Sequence, residues 1–244
     1  MIKLLDKYDG LDLRDSHYSR VIRAHLDAYG TGYDFCRFYE IVGKHRVGVI
    51  AIFNSAVAVD FVRGAKVTSG AKRELSEFID FQSPISVEMP NEFLPRSGFS
   101  GYVSFERIFF AVPPSESAVG ITEPDPEAVF NTVFGEAGDY GLWLTDTMRR
   151  INGGRSRLLS YESAVLTVRF AVDKRAYITD VATPPEDRGK GYARTLLGGA
   201  AKLLKGEGLS AYLAAFPETA GYYRSLGYQE IDRDTVFNLR EVPR

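Results

Sequence analysis

The stretch from Ala176 to Leu197 constrains this chain more than any other, because it dictates a strand, a glycine-bearing loop and a helix in immediate succession. Lys174-Arg175 makes a turn, and residues 176–183 follow it as a strand. Pro184-Pro185 ends it, since proline cannot donate to a ladder. Arg188-Gly189-Lys190-Gly191-Tyr192-Ala193 follows, and from about 191 to 205 Ala193, Leu196, Leu197, Ala200, Leu203 and Leu204 recur at spacings of three and four, the pattern of a helix with one buried face. Glycines in such a loop let backbone N–H groups close on a bulky anion, and the start of the helix adds its dipole and unpaired donors. The segment reads as a pyrophosphate cradle. No Gly-Lys-Ser/Thr follows, so it is not a nucleoside-triphosphate loop, and without Gly-x-Gly-x-x-Gly it does not support a dinucleotide fold.

The surroundings extend this unit. Residues 113–126 hold four prolines and little apolar periodicity, which predicts a linker. Division falls into residues 1–112, a linker at 113–124 and a second domain at 125–244. In the second, helices are expected at 126–134 and 140–151, the latter stopped by Gly153-Gly154, then strands at 156–163 and 165–172. After the cradle helix come a strand at 210–215, a short helix from Pro217 to Gly227, and strands at 228–231 and 236–239 that read as a hairpin. The order implies an α/β fold, a mixed sheet with helices on its faces.

The first half has the same rhythm: a helix at 18–29, strands at 35–41, 47–53 and 57–62, a helix at 71–81 and a strand at 85–88. Pro90…Arg96-Ser97-Gly98-Phe99 echoes Pro217…Arg224-Ser225-Leu226-Gly227-Tyr228, which together with the element order points to a duplicated fold.

Composition narrows the function classes. A formal charge of −2 gives no whole-molecule attraction to nucleic acid, and no apolar run approaches the ~18 residues of a membrane span, so neither partner is expected. A cytoplasmic protein is the default expectation. Cys36 is the only cysteine, which excludes an internal disulfide and a cysteine-rich metal site; it reads as a buried structural thiol. His17, His25 and His45 match no familiar zinc spacing, and no metal is expected.

Strand, Arg-x-x-Gly-x-Ala loop and helix, followed about thirty residues on by Tyr223-Arg-Ser-Leu-Gly227-Tyr228, resemble the acetyl-CoA-binding elements of the GCN5-related N-acetyltransferase (GNAT) family. Arg188, Gly191 and Ala193 fill the three defining loop positions. The similarity spans most of residues 125–244 and implies an acyl-CoA N-acyltransferase fold, with two tandem GNAT-like domains if the first half is a degenerate repeat. It further implies that the backbone of Val181, Ala182 and Thr183 pairs with the pantetheine arm of acetyl-CoA. Residues 188–194 (Arg188, Gly189, Lys190, Gly191, Tyr192, Ala193, Arg194) would receive the pyrophosphate, with Lys190 and Arg194 as candidate countercharges. The implied reaction moves an acetyl group directly to the primary amine of a small molecule or peptide, with no acyl-enzyme.

The chemistry needs a proton acceptor, because an alkyl ammonium has a pKa near 10. Asp180 stands where the family often carries an acid; capping of the nearby loop is the competing reading. A strand N–H near Val181 suits the developing oxyanion, and Tyr223 is the candidate proton donor to the leaving thiolate. Three features depart from the family pattern. Ala215-Phe216-Pro217 stands where an asparagine is common. Gly198-Gly199 lies inside the cradle helix, where close packing on the sheet would account for it. In the first half, Arg63-Gly64-Ala65-Lys66-Val67-Thr68 puts Lys66 and Thr68 in the glycine and Gly/Ala places, so a cradle there is lost and that half would wall the acceptor pocket, bind a partner or support assembly, a homodimer included. Two other readings fit the same residues: an acyl-CoA-binding sensor without turnover, and a tandem-GNAT aminoacyl transferase.

Overall fold

The computed structural model describes residues 1–7, 12–94, 99–116 and 120–240. They form two compact units, Met1–Arg107 with Arg233–Arg244, and Ile108–Asp232.

The first unit contains β1 (Ile2–Leu4), α1 (His17–Tyr29), β2 (Cys36–Val42), β3 (Arg46–Phe53), β4 (Ala56–Phe61), α2 (Ser69–Gln82) and β5 (Ser86–Glu88). It also takes the first part of β6 (Tyr102–Ala111) and most of β11 (Glu230–Leu239). Strands β1 to β4 form an antiparallel meander, β5 runs parallel to β4, and β11 is antiparallel to β5 with Phe237 opposite Val87. Two cores result from the alternation of the strands. Ile50, Ile52, Val57 and Val59 pack with Leu75 and Ile79 of α2 and with Phe99 and Phe237. On the other side Phe38, Val49 and Ala51 pack with Ile22 of α1 and with Cys36, which is fully buried. α1 begins at a capping box in which Ser16 and Ser19 satisfy each other's backbone N–H groups.

The second unit contains α3 (Pro126–Val133), α4 (Tyr140–Asn152), β7 (Arg157–Tyr161), β8 (Ala164–Val172), β9 (Arg175–Ala182), α5 (Tyr192–Gly206), β10 (Ser210–Ala215) and α6 (Pro217–Ser225). Strands run in the order β7-β8-β9-β10-β6, antiparallel except that β10 is parallel to β9 across the α5 crossover. Leu196, Leu197, Ala200, Ala201 and Leu204 of α5 are buried against Leu166, Val168, Ile178, Leu213 and Phe110. Each leucine so buried is worth about 1.5–3 kcal/mol, so the apolar stripe holds the helix to the sheet. Both units thus share the order helix, three antiparallel strands, helix, parallel strand.

Three expectations change. First, 228–231 and 236–239 are not a hairpin: β11 is one strand from Glu230 to Leu239. The intervening Asp232-Arg233-Asp234-Thr235 reads as a turn by polarity, but it offers no glycine or asparagine for one. Asp234 is only 3% exposed and accepts hydrogen bonds from Tyr18 Oη (2.7 Å) and from Arg107 Nε and Nη2 (3.0 and 2.6 Å). Second, the compact units do not follow the 1–112, 113–124 and 125–244 division: the break falls between Arg107 and Ile108, and the C-terminal strand belongs with the first unit. β6, missed in the sequence because adjacent Glu106 and Arg107 and then the unbroken apolar run from Ile108 to Ala111 disrupt its alternation, straddles that break.

Third, residues 113–124 are not a free linker. Ser115 N–H donates to Gly198 O (3.0 Å), and Thr122 exchanges both backbone hydrogen bonds with Ser160 (3.0 and 2.8 Å), so Ser115 is tied to α5 and Thr122 to β7. Gly198 serves the contact with Ser115 rather than the sheet: a Cβ there would lie 2.5 Å from Ser115 Cβ. The repeat echo is only partly testable, since Arg96, Ser97 and Gly98 lie outside the described residues. After Pro90 the chain makes a short 3-10 turn (Asn91–Phe93), whereas Pro217 opens the nine-residue α6.

Candidate active site

The site starts where β9 loses one neighbour. β9 is paired with β10 from Arg175 to Ile178 only, while β8 still holds its other edge at Ala182. Between these points the β8–β9 register slips, from Thr167 opposite Thr179 to Val165 opposite Ala182, so β9 carries one extra residue. Asp180 takes up that bulge at φ 55°, a left-handed conformation that aspartate tolerates better than most residues. A bulge bends its strand, and here the bend coincides with the end of pairing to β10. Val181, Ala182 and Thr183 therefore offer an edge without a strand partner on that side among the described residues.

The loop beyond is braced by its own side chains. Arg188 Nε donates to Thr183 O (3.2 Å), tying the strand end to the loop. Gly189 and Gly191 lie at φ 82° and 83°, conformations that other residues adopt only under strain. A Cβ on either would meet nothing within 4 Å, so the backbone there faces open space and the requirement for glycine is conformational. Gly191 caps α5 without a side-chain hydrogen bond, and the first helical bond runs from Thr195 N–H to Gly191 O (3.0 Å). The N–H groups of Tyr192, Ala193 and Arg194 precede it and project from the helix end, the ordinary arrangement for binding an anion.

Charge at the loop is partly paired. Lys190 pairs with Asp187 (2.5 Å), which holds the Asp187 carboxyl below its ordinary range. It is thereby a brace of the loop. Arg194 is exposed and makes no ion pair with the described residues. Tyr192 is half-buried, edge-on to Tyr161 at 6.0 Å.

Tyr223 lies on α6 with its ring 5.5 Å from Phe110 and 6.0 Å from Tyr228. Burial, aided by neighbouring Tyr222, pushes its phenol up to about 12. Its hydroxyl makes no hydrogen bond to any described residue. Asp180 is half-buried and accepts a hydrogen bond from Thr179 Oγ1 (3.1 Å). The structure thus brings the β9 end, the loop and the start of α5 into direct contact, whereas no hydrogen bond joins Asp180 to Tyr223. Phe216, in place of the expected asparagine, is exposed and gives α6 no side-chain cap. Thr179, Tyr161 and Phe110 escaped sequence reading; each acts through a neighbour and belongs to no motif.

A separate recess of about 540 Å³ opens among Val112, Pro113, Arg175, Lys205, Ser210 and Gln229. Arg175 and Ser210 begin their strands, so it lies at the end of β9 and β10 remote from the loop. Among the described residues no group of three or more His, Cys, Asp or Glu is arranged to hold a metal, and no helix is long and apolar enough to cross a membrane.

Residues 154–231 match the model of the acetyltransferase (GNAT) domain. No curated protein matches the sequence. Among solved structures, a GNAT-family acetyltransferase from Colwellia psychrerythraea is 12% identical with a TM-score of 0.55, covering 98% of this chain and 100% of its own. A GCN5-related N-acetyltransferase from Sphaerobacter thermophilus is 17% identical with a TM-score of 0.59, covering 93% and 87%. A tandem GNAT protein of the clavulanic acid biosynthesis pathway is 11% identical with a TM-score of 0.53, covering 100% and 99%. These likenesses show the fold over both units, and the match to a family model, that of the acetyltransferase (GNAT) domain, is confined to residues 154–231.

Proposed function

We propose that the second unit transfers an acetyl group from acetyl-CoA to a primary amine of a small molecule or peptide by direct attack. The observation that carries this reading is the combination of a one-sided strand end (Val181–Thr183) with an uncapped helix start behind two left-handed glycines. The first suits an amide-bearing arm that pairs as a strand would; the second suits a pyrophosphate. Arg194 supplies the free countercharge, with Gly189, Lys190, Tyr192 and Ala193 shaping the cradle.

Asp180 is the proposed acceptor of the ammonium proton, directly or through water. The freed nitrogen attacks the thioester carbonyl, whose oxygen gains charge beside the strand N–H groups near Val181, and the C–S bond breaks. Tyr223 then meets the sulfur. With its phenol at about 12 and a thiol near 8.5, complete transfer of its proton to a free thiolate would be uphill by about 5 kcal/mol. Its role is therefore hydrogen-bond donation to the departing sulfur, which takes its proton from the attacking nitrogen as that nitrogen becomes a neutral amide.

Calorimetric titration with acetyl-CoA tests the reading, beside Gly191→Glu, which places a side chain and a negative charge in the cradle, with thermal melting to establish that the variant is folded. Binding by the native protein that the folded variant loses supports the site and leads to a screen of amines for turnover. No binding by native protein overturns the proposal, and binding without turnover of any amine would leave a binding module.

A further inference from the structure

The first unit repeats the geometry of the gap described above, and fills it with its own chain. Strands β4 and β5 are parallel and paired only from Ala56 to Ala58, although β4 continues to Phe61. Val62 N–H then bonds to Val47 O (2.9 Å), so β3 occupies one edge of the extended strand. The other edge is taken by residues 12–14. Arg14 N–H donates to Phe61 O (3.4 Å), Arg63 N–H donates to Asp12 O (3.0 Å), and Leu13 stands antiparallel to Val62, 2% exposed.

Side chains lock this segment in place. Ser16 Oγ donates to Asp60 Oδ2 (2.7 Å), and Arg14 reaches Asp60 Oδ1 through Nε and Nη2 (3.3 Å each). Arg14 also pairs with Glu92 and lies 4.9 Å over the Phe93 ring. The helix end that would serve as a cradle is closed as well: Thr68 caps α2 and accepts the Ala71 N–H (3.2 Å).

We infer that residues 12–16 are a built-in occupant of the first unit's groove, standing where the second unit would take the arm of its thioester substrate. The chain accordingly has one acyl-CoA site, not two. The comparison of arms rests on the function proposed above; the occupancy rests on the hydrogen bonds alone. The first unit then serves as a scaffold whose repeat of the binding groove holds the chain's own segment.

Hydrogen exchange of the native full-length protein, followed at the Arg63 amide and combined with the stoichiometry of acetyl-CoA binding, tests this. The Arg63 amide is expected to be protected at least tenfold relative to an unstructured peptide, and to lose most of that protection in Arg14→Ala with Ser16→Ala, while binding stays at one equivalent. If the double variant fails to fold, Ser16→Ala alone gives the same reading with a smaller change. Fast exchange at Arg63 in native protein, or two equivalents of acetyl-CoA bound, overturns the inference. Zero equivalents overturns the function proposed for the second unit, and Arg63 then decides occupancy by itself: protection sustains it and fast exchange overturns it.

Discussion

Asp60 and Asp180 occupy the same step in the two repeats, near the end of the strand that enters the crossover helix, yet their surroundings are opposite. Asp60 is fully buried, held by Ser16 and Arg14 on a regular strand, and burial pushes its carboxyl up against the pull of those partners. Asp180 is half-buried, sits on a bulge at φ 55° and, among the described residues, keeps only Thr179 as a hydrogen-bond partner. The helices that follow differ in the same sense: α2 begins under a threonine cap, α5 behind a bare glycine. One strand–loop–helix scaffold therefore yields either a closed structural element or an open groove. Three local features decide which: the bulge, the cap, and whether a segment of the chain is at hand to fill the edge.

The comparison breaks most sharply at the two aspartates. Asp180→Asn keeps the left-handed bulge, because asparagine tolerates it, and removes the proposed base; turnover with a competent amine should fall about 10²–10⁴-fold with folding stability within ~0.5 kcal/mol of native. A variant with undiminished turnover would remove Asp180 from the chemistry. Asp60→Ala should do the reverse. It strips Arg14 and Ser16 of their partner, and urea denaturation should record a loss of about 3 kcal/mol with acetyl-CoA affinity unchanged. An equal loss of affinity would mean that the first unit contributes to binding.

Acid should act on the first unit through Glu88. Burial alone would raise this carboxyl, but Arg107 (2.8 Å) and the His17 hydrogen bond outweigh it and hold Glu88 at about 2, against an ordinary 4.5. A folded value below the unfolded one means that folding favours the ionised form. Its stabilisation, up to about 3 kcal/mol, is complete above pH 4.5 and is lost as pH falls towards 2. Glu88→Gln should flatten that part of the stability–pH curve; an unchanged curve would remove Glu88 as its source. The smallest effect is expected at the cap: Thr68→Ala should cost about 1 kcal/mol in thermal unfolding without creating a second acetyl-CoA site.

The elements that carry the candidate site were legible in sequence because their signals are local. Pro184-Pro185 ends a strand, Gly189 and Gly191 need positive φ, and the leucine spacing of 196–204 marks a buried helical face. The bulge at Asp180 was not, since nothing in Thr179-Asp180-Val181 announces an extra residue until β8 sets the register. Gly198 was read against the sheet because its actual neighbour, Ser115, is remote in sequence. The pairing of Lys190 with Asp187 was not legible either, because it depends on how the loop turns.

The sequence by itself therefore determined the repeated order of helices and strands and the glycine-bearing loop, since these follow from periodicity, proline and glycine within a few residues; Arg188 and Tyr223 stood out through the resemblance to the GNAT motifs. Only the tertiary structure decided that the last strand completes the first unit, that Ser115 is tied to α5, and that residues 12–16 fill one groove while the other stays open. Those outcomes depend on hydrogen bonds and buried charges between segments far apart in the chain, such as Asp234 with Tyr18 and Arg107 or Asp60 with Arg14, and each such pairing has a partner that local pattern cannot name.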